Sequence, residues 1–122
     1  MRMKRARIQT LNLKTKSATK DGEGVPQITW GNATQIQAEV WPAGGQLQVQ
    51  TYGDRVNSIL NVKVKGGYSI VPEGNHVAYV FKDFTLREGD GLCIYAGAND
   101  DPDYRIISIR PYHPLKLEVE RI

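Results

Sequence analysis

The feature that most constrains this chain is a period of two, repeatedly cut by glycine. Ile36-Gln-Ala38-Glu-Val40, Leu60-Asn-Val62-Lys-Val64 and Leu115-Lys-Leu117-Glu-Val119 alternate apolar and polar residues, as strands do when one face is buried and the other wet. Arg7–Leu13, Val77–Phe81, Leu92–Tyr95 and Tyr104–Ile109 are rich in aliphatic, β-branched or aromatic residues and are bounded by turn formers, so they also read as strands. Between them stand Asp21-Gly-Glu-Gly24, Ala43-Gly-Gly45, Lys65-Gly-Gly67, Pro72-Glu-Gly74, Arg87-Glu-Gly-Asp-Gly91 and Ala98-Asn-Asp-Asp-Pro102. No long stretch holds a 3.6 period. The pattern predicts an all-β fold, a small antiparallel β-barrel of about seven strands. One short helix is compatible with it, because Val56, Ile59, Leu60 and Val64 also share a helical face after Asp54.

At 122 residues with 40% hydrophobic content, the chain suits one domain over 1–122 with an ordinary apolar core. A single cysteine, Cys93, cannot form an internal disulfide, and its apolar neighbours predict a buried, inert thiol. No Cys/His cluster has zinc spacing, so no metal or other cofactor is expected. The charged start Met1-Arg-Met-Lys-Arg-Ala-Arg7 has no apolar segment behind it, which argues against a signal peptide, and no apolar run is long enough to span a membrane. The expected compartment is the cytoplasm.

The formal net charge of +3 conceals an asymmetry. The first 20 residues hold Arg2, Lys4, Arg5, Arg7, Lys14, Lys16 and Lys20 and no acid, whereas the rest hold 9 bases against all 13 acids. The body is therefore acidic, with a basic N-terminal arm over 1–6. Such an arm suits nucleic acid, an anionic membrane surface or an acidic protein, or is simply a solvated terminus.

Two connections are long, residues 14–29 and the stretch 43–57. The second alternates glutamine with apolar residues in Gln46-Leu47-Gln48-Val49-Gln50-Thr51 after Gly44 and Gly45. It reads as a strand-capable segment on a loose tether, suited to β-addition to a neighbouring copy or to a plain hairpin arm.

Catalytic signatures are absent from the sequence. His76 and His113 lie in different segments, and there is no nucleophile elbow, phosphate-binding glycine loop, H-E-x-x-H or dinucleotide fingerprint. The catalytic set is empty and no enzyme is expected. Asn99-Asp-Asp-Pro-Asp103 concentrates carboxylates but lacks the spacing of a calcium loop, so it reads as an acidic turn before the next strand. Trp30 and Trp41 flank the Ile36–Val40 strand and Tyr79 shares the alternation of Val77 and Phe81, so all three read as core or cross-strand residues rather than base-stacking platforms.

In order along the chain come Arg7-Ile8, Asp21-x-x-Gly24-x-x-x-x-Thr29-Trp30, Ala33-x-x-Ile36-x-Ala38-Glu39-Val40-x-Pro42, the Gly45-Gln46 turn, Ile94-Tyr95-Ala-Gly97, Tyr104-Arg-Ile106-Ile-Ser-Ile109 and Leu115-x-Leu117-x-Val119. This succession resembles the head–tail joining proteins of long-tailed phages, the adaptor, head-closure (stopper) and minor capsid proteins. The resemblance implies a β-barrel subunit of the virion, assembled in the host cytoplasm. It further implies a ring, usually of twelve copies, that contacts portal, adaptor and tail proteins and closes the DNA-filled head. It implies that 43–57 projects into the channel, with Gly44 and Gly45 as hinge and Gln46–Thr51 as the pairing stretch. The arm residues Arg2, Lys4, Arg5 and Arg7 would then meet an acidic neighbour or packaged DNA. The alternative is a small nucleic-acid-binding barrel anchored by that arm, with affinity that falls as salt rises.

Overall fold

A computed structural model describes residues 8–20 and 26–122. Six strands close into an antiparallel barrel: β1 (Ile8–Lys14), β4 (Thr34–Pro42), β5 (Ile59–Val64), β11 (Leu115–Arg121), β10 (Tyr104–Arg110) and β9 (Gly91–Cys93), with β9 pairing back to β1. The expected all-β barrel is therefore present, and each of the seven expected strands has its counterpart.

The alternation explains the closure. Leu11, Leu13, Ile36, Ala38, Val62, Val64, Leu92, Ile106, Leu115, Leu117 and Val119 all point inward and are at most 2% exposed. Each large side chain so buried contributes about 1.5–3 kcal/mol of transfer free energy. Between Ile106 and Ser108 the β10–β11 register shifts by a bulge, which keeps Ile109 inward and turns Arg110 out.

Two smaller sheets stand off the barrel. β2 (Lys16–Lys20) pairs with β3 (Pro26–Trp30), so most of the expected connection 14–29 is a hairpin. Lys16–Lys20 lacks apolar alternation, which hid it. β6 (Ser69–Glu73), β7 (His76–Val80) and β8 (Thr85–Leu86) form the other sheet. Its turn places Gly74 at φ 62°, the first position of a two-residue hairpin loop where glycine is favoured. Tyr79 and Phe81 join the core there, whereas Val77 is 39% exposed.

Gly91 marks the tightest approach. A Cβ at this position would collide with the Pro102 ring and press on the Trp30 indole, so β9 can lie against both only as glycine. Trp30 is thus a packing residue. Trp41 lies half-buried on the outer face of β4 with the Lys63 ammonium 5.3 Å from its ring centroid, a cross-strand contact as expected.

Candidate functional site

The segment expected to extend is helical instead. Gln46–Tyr52 forms an α-helix, α1, followed by a 3-10 turn over Gly53–Ser58, and Ile59 and Leu60 begin β5. The reading of Gln46–Thr51 as an extended strand is corrected, and so is that of a helix running through Ile59 and Leu60. The physical reason is closure. β4 and β5 pair with each other and each has a second neighbour in the barrel, so no edge between them is free to accept another strand. Backbone groups in between must be satisfied locally, and glutamine and leucine favour helix. Gly53 ends the helix at φ 57° and ψ −130°, a backbone conformation open to glycine, its N–H donating to the Val49 carbonyl. Gly44 and Gly45 need no positive φ, and the space around them is open.

α1 buries none of its residues and is fastened by polar groups. The outward face of β5 and β11 presents Asn61, Glu118 and Glu120, which are 3%, 2% and 9% exposed beneath it. Gln48 Nε2 donates to Asn61 Oδ1 at 2.6 Å and to Glu118 Oε2 at 2.8 Å, while Asn61 Nδ2 returns a bond to Gln48 Oε1 at 3.3 Å. Gly44 N–H also donates to Gln48 Oε1. Arg55 grips Glu120 with two bonds of 2.8 Å, and Arg105 reaches the same carboxylate at 3.4 Å. Arg110 lies 3.4 Å from Glu118.

The electrostatics follow from these partners. Burial works to raise the Glu118 pKa, but Gln48, Arg110 and Tyr52 together outweigh it and hold the carboxyl below its usual range. The Arg55 hydrogen bonds do the same for Glu120. Tyr52 is pushed up by burial and by the Glu118 charge to which its hydroxyl is bonded. The apolar residues of the helix face away, Leu47 at 71% and Val49 at 47% exposed.

The basic arm residues Arg2, Lys4, Arg5 and Arg7 lie outside the described residues. Of the other early bases, Lys14 is buried with its ammonium on the Asp100 carbonyl. The acidic stretch Asn99–Asp103 is a structured loop. Asp103 accepts the N–H groups of Ile94 and Tyr95 at 2.8 and 2.9 Å, and Asp100 that of Gly97 at 3.0 Å. Two of its three carboxylates thus hold the loop together. Cys93 is buried, and burial pushes its thiol up.

A cleft of about 340 Å³ opens between the β6–β7 tip and the turn before β9. Within it Glu73 pairs with Arg87 at 2.7 Å, and Asp90 accepts the N–H groups of Lys16 and Arg87 at 3.0 and 3.1 Å. It pins two sheets together.

Reading the sequence brought out the residues of α1 but not what holds them. Asn61, Arg105, Arg110, Glu118 and Glu120 occupy the wet positions of alternating strands, where nothing in the pattern separates a covered polar residue from a solvated one. No protein-family model, curated protein or solved structure matches the chain.

Proposed function

We propose that this chain is a structural subunit of a phage head–tail connector, a ring component below the portal that closes the DNA-filled head and docks the tail. The reading is supported by the order of sequence landmarks from Arg7 to Val119 and by the closed barrel they fold into. The observation that carries it is the attachment of α1. A segment between two barrel strands is held by hydrogen bonds and ion pairs over an outward face whose Asn61, Glu118 and Glu120 would be at home in water. α1 itself has no buried residue to expose on detaching.

In this role the α1 segment is the moving part, and once detached it would meet the same segment of neighbouring copies around the ring axis. A plug of that kind needs no base recognition. The portal and adaptor lie on one side of the ring, tail proteins on the other, and the arm residues Arg2, Lys4, Arg5 and Arg7 serve either an acidic neighbour or DNA.

The test is addition of purified protein to portal-containing, DNA-filled heads, scored by electron microscopy and nuclease protection. Ring addition with protected DNA is the expected result. Deleting Gln46–Thr51 should leave the barrel folded and the heads leaking. Failure to add to heads, together with salt-sensitive DNA binding by the free protein, would favour the nucleic-acid-binding alternative.

A further inference from the structure

Three outward cations lie side by side across adjacent strands: Arg110 opposite Lys116, and Lys116 opposite Lys63. Like charges directly opposite one another are unfavourable in a sheet. Arg110 leans on Glu118 and Lys63 lies over Trp41, and the central Lys116 is in no ion pair among the described residues. Beside the row, α1 and the turn after β10 enclose a cleft of about 230 Å³ whose walls include Leu47, Arg110, Tyr112, Lys116 and Glu118; Glu118 is engaged by Arg110, which leaves Lys116 as the outward charge of the cleft. Tyr112 is 58% and Leu47 71% exposed. This end of the β10–β11 hairpin therefore joins positive charge to uncovered apolar surface.

The other end of the same hairpin is its complement. The loop between β9 and β10 carries Tyr95, 80% exposed, and the C-terminal Ile122, 66% exposed, is bonded to this loop through the Asp103 carbonyl. Asp100 and Asp103 are committed to loop amides, which leaves the exposed Asp101 as the loop's outward charge. Tyr104 and Arg110 bound β10, so the two patches are separated by about 20 Å of strand. One copy cannot bring them together.

We propose that these patches are the two halves of a head-to-tail contact between copies of this chain. Tyr95 of one copy seats in the Leu47–Arg110–Tyr112–Lys116 cleft of the next, and Asp101 meets Lys116. Tyrosine is suited to anchor such a pocket, and charge sets its partner and register. Because the two halves are different surfaces, every copy has one of each to offer, and the contact propagates into a ring if its rotation closes. The proposal rests on the reading of the chain as a ring subunit and supplies that ring's subunit contact.

The test combines carbodiimide coupling with sedimentation over a concentration series of the full chain. Carbodiimide joins an amine to a carboxylate only where they touch, so an intermolecular Lys116–Asp101 peptide is expected by mass spectrometry. Lys116→Glu and Asp101→Lys should each weaken self-association by about tenfold or more, and Tyr95→Ala by a similar factor. The double variant carrying both charge reversals should recover to within about threefold of the original, because each contact again pairs opposite charges. All four are surface changes, and circular dichroism should show the barrel intact. Absence of the Lys116–Asp101 peptide, or a double variant no better than the single ones, would overturn the contact. Rings that add to filled heads equally well with Lys116→Glu would remove this contact and leave the connector reading standing. Charge-swap rescue without ring addition would do the opposite.

Discussion

Strand β11 has two faces, and they are held in different ways. Inward, Leu115, Leu117 and Val119 are wholly buried among the side chains of five other strands. Outward, Lys116, Glu118 and Glu120 alternate with them, and the last two are covered by α1 and the 3-10 turn. Apolar packing is non-directional and survives small shifts, whereas the outward face depends on a few bonds with fixed geometry. One strand thus serves as barrel wall on one face and as the polar seat of α1 on the other.

The largest effect should come from the inward face. Leu117→Ala removes a fully buried side chain and should cost about 2–5 kcal/mol through lost transfer energy and the cavity left behind. Chemical denaturation would read this as a lower midpoint with an unchanged slope. Hydrogen exchange should speed up across the barrel strands and α1 together. If α1 alone loosened, the two faces would not be distinct in the way argued.

Glu118→Ala should cost less, about 1–3 kcal/mol, because Gln48, Tyr52 and Arg110 lose a shared acceptor beneath the helix. The decisive readout is location. Amides of residues 46–58 should lose protection while Leu117 and Val119 keep theirs. A uniform loss would mean that the helix is part of the barrel's cooperative unit.

Acid should act on the same face. Glu118 and Glu120 have pKa values lowered in the folded protein, so their contribution is fully present above the ordinary glutamate value. It is lost as pH falls through the lowered folded values. Protection of residues 46–58 should therefore decline below about pH 4. The inward face carries no acid on Leu115, Leu117 or Val119 and should respond only when the whole barrel does. A helix equally protected on both sides of that range would show that the carboxylates do not fasten it.

The same contrast explains what could be read from sequence. Inward positions announce themselves by alternation, so β4, β5, β10 and β11 were legible from Ile36, Val62, Ile106 and Leu117. β2 and β6 were not: Lys16–Lys20 lacks apolar alternation, and Ser69–Glu73 is exposed throughout and contains Pro72. Gln46–Thr51 is the instructive failure. Its alternation is the signature of a strand, yet extension needs a free edge, and closure of β4 on β5 is decided by residues far away. The polar positions of β11 were visible as polar, but their burial depends on α1 folding back over them. The basic arm lies outside the described residues, and its part in the proposed assembly stays with the sequence.

The smallest effect expected on the isolated subunit is the one that separates folding from assembly. Leu47 is 71% exposed on α1 and lines the cleft beside Arg110, Tyr112 and Lys116. Leu47→Ser removes almost no buried surface from the monomer, so its denaturation midpoint should stay within about 0.5 kcal/mol of the original. A leucine this exposed is unremarkable when solitary, but here it forms part of the pocket wall assigned to the neighbour's Tyr95. Self-association should therefore weaken severalfold while stability is unchanged. The opposite pattern, lost stability with intact association, would place Leu47 in the monomer's own packing. That would make the outward face of α1 a second buried surface, and the division between an apolar wall and a polar seat would fall.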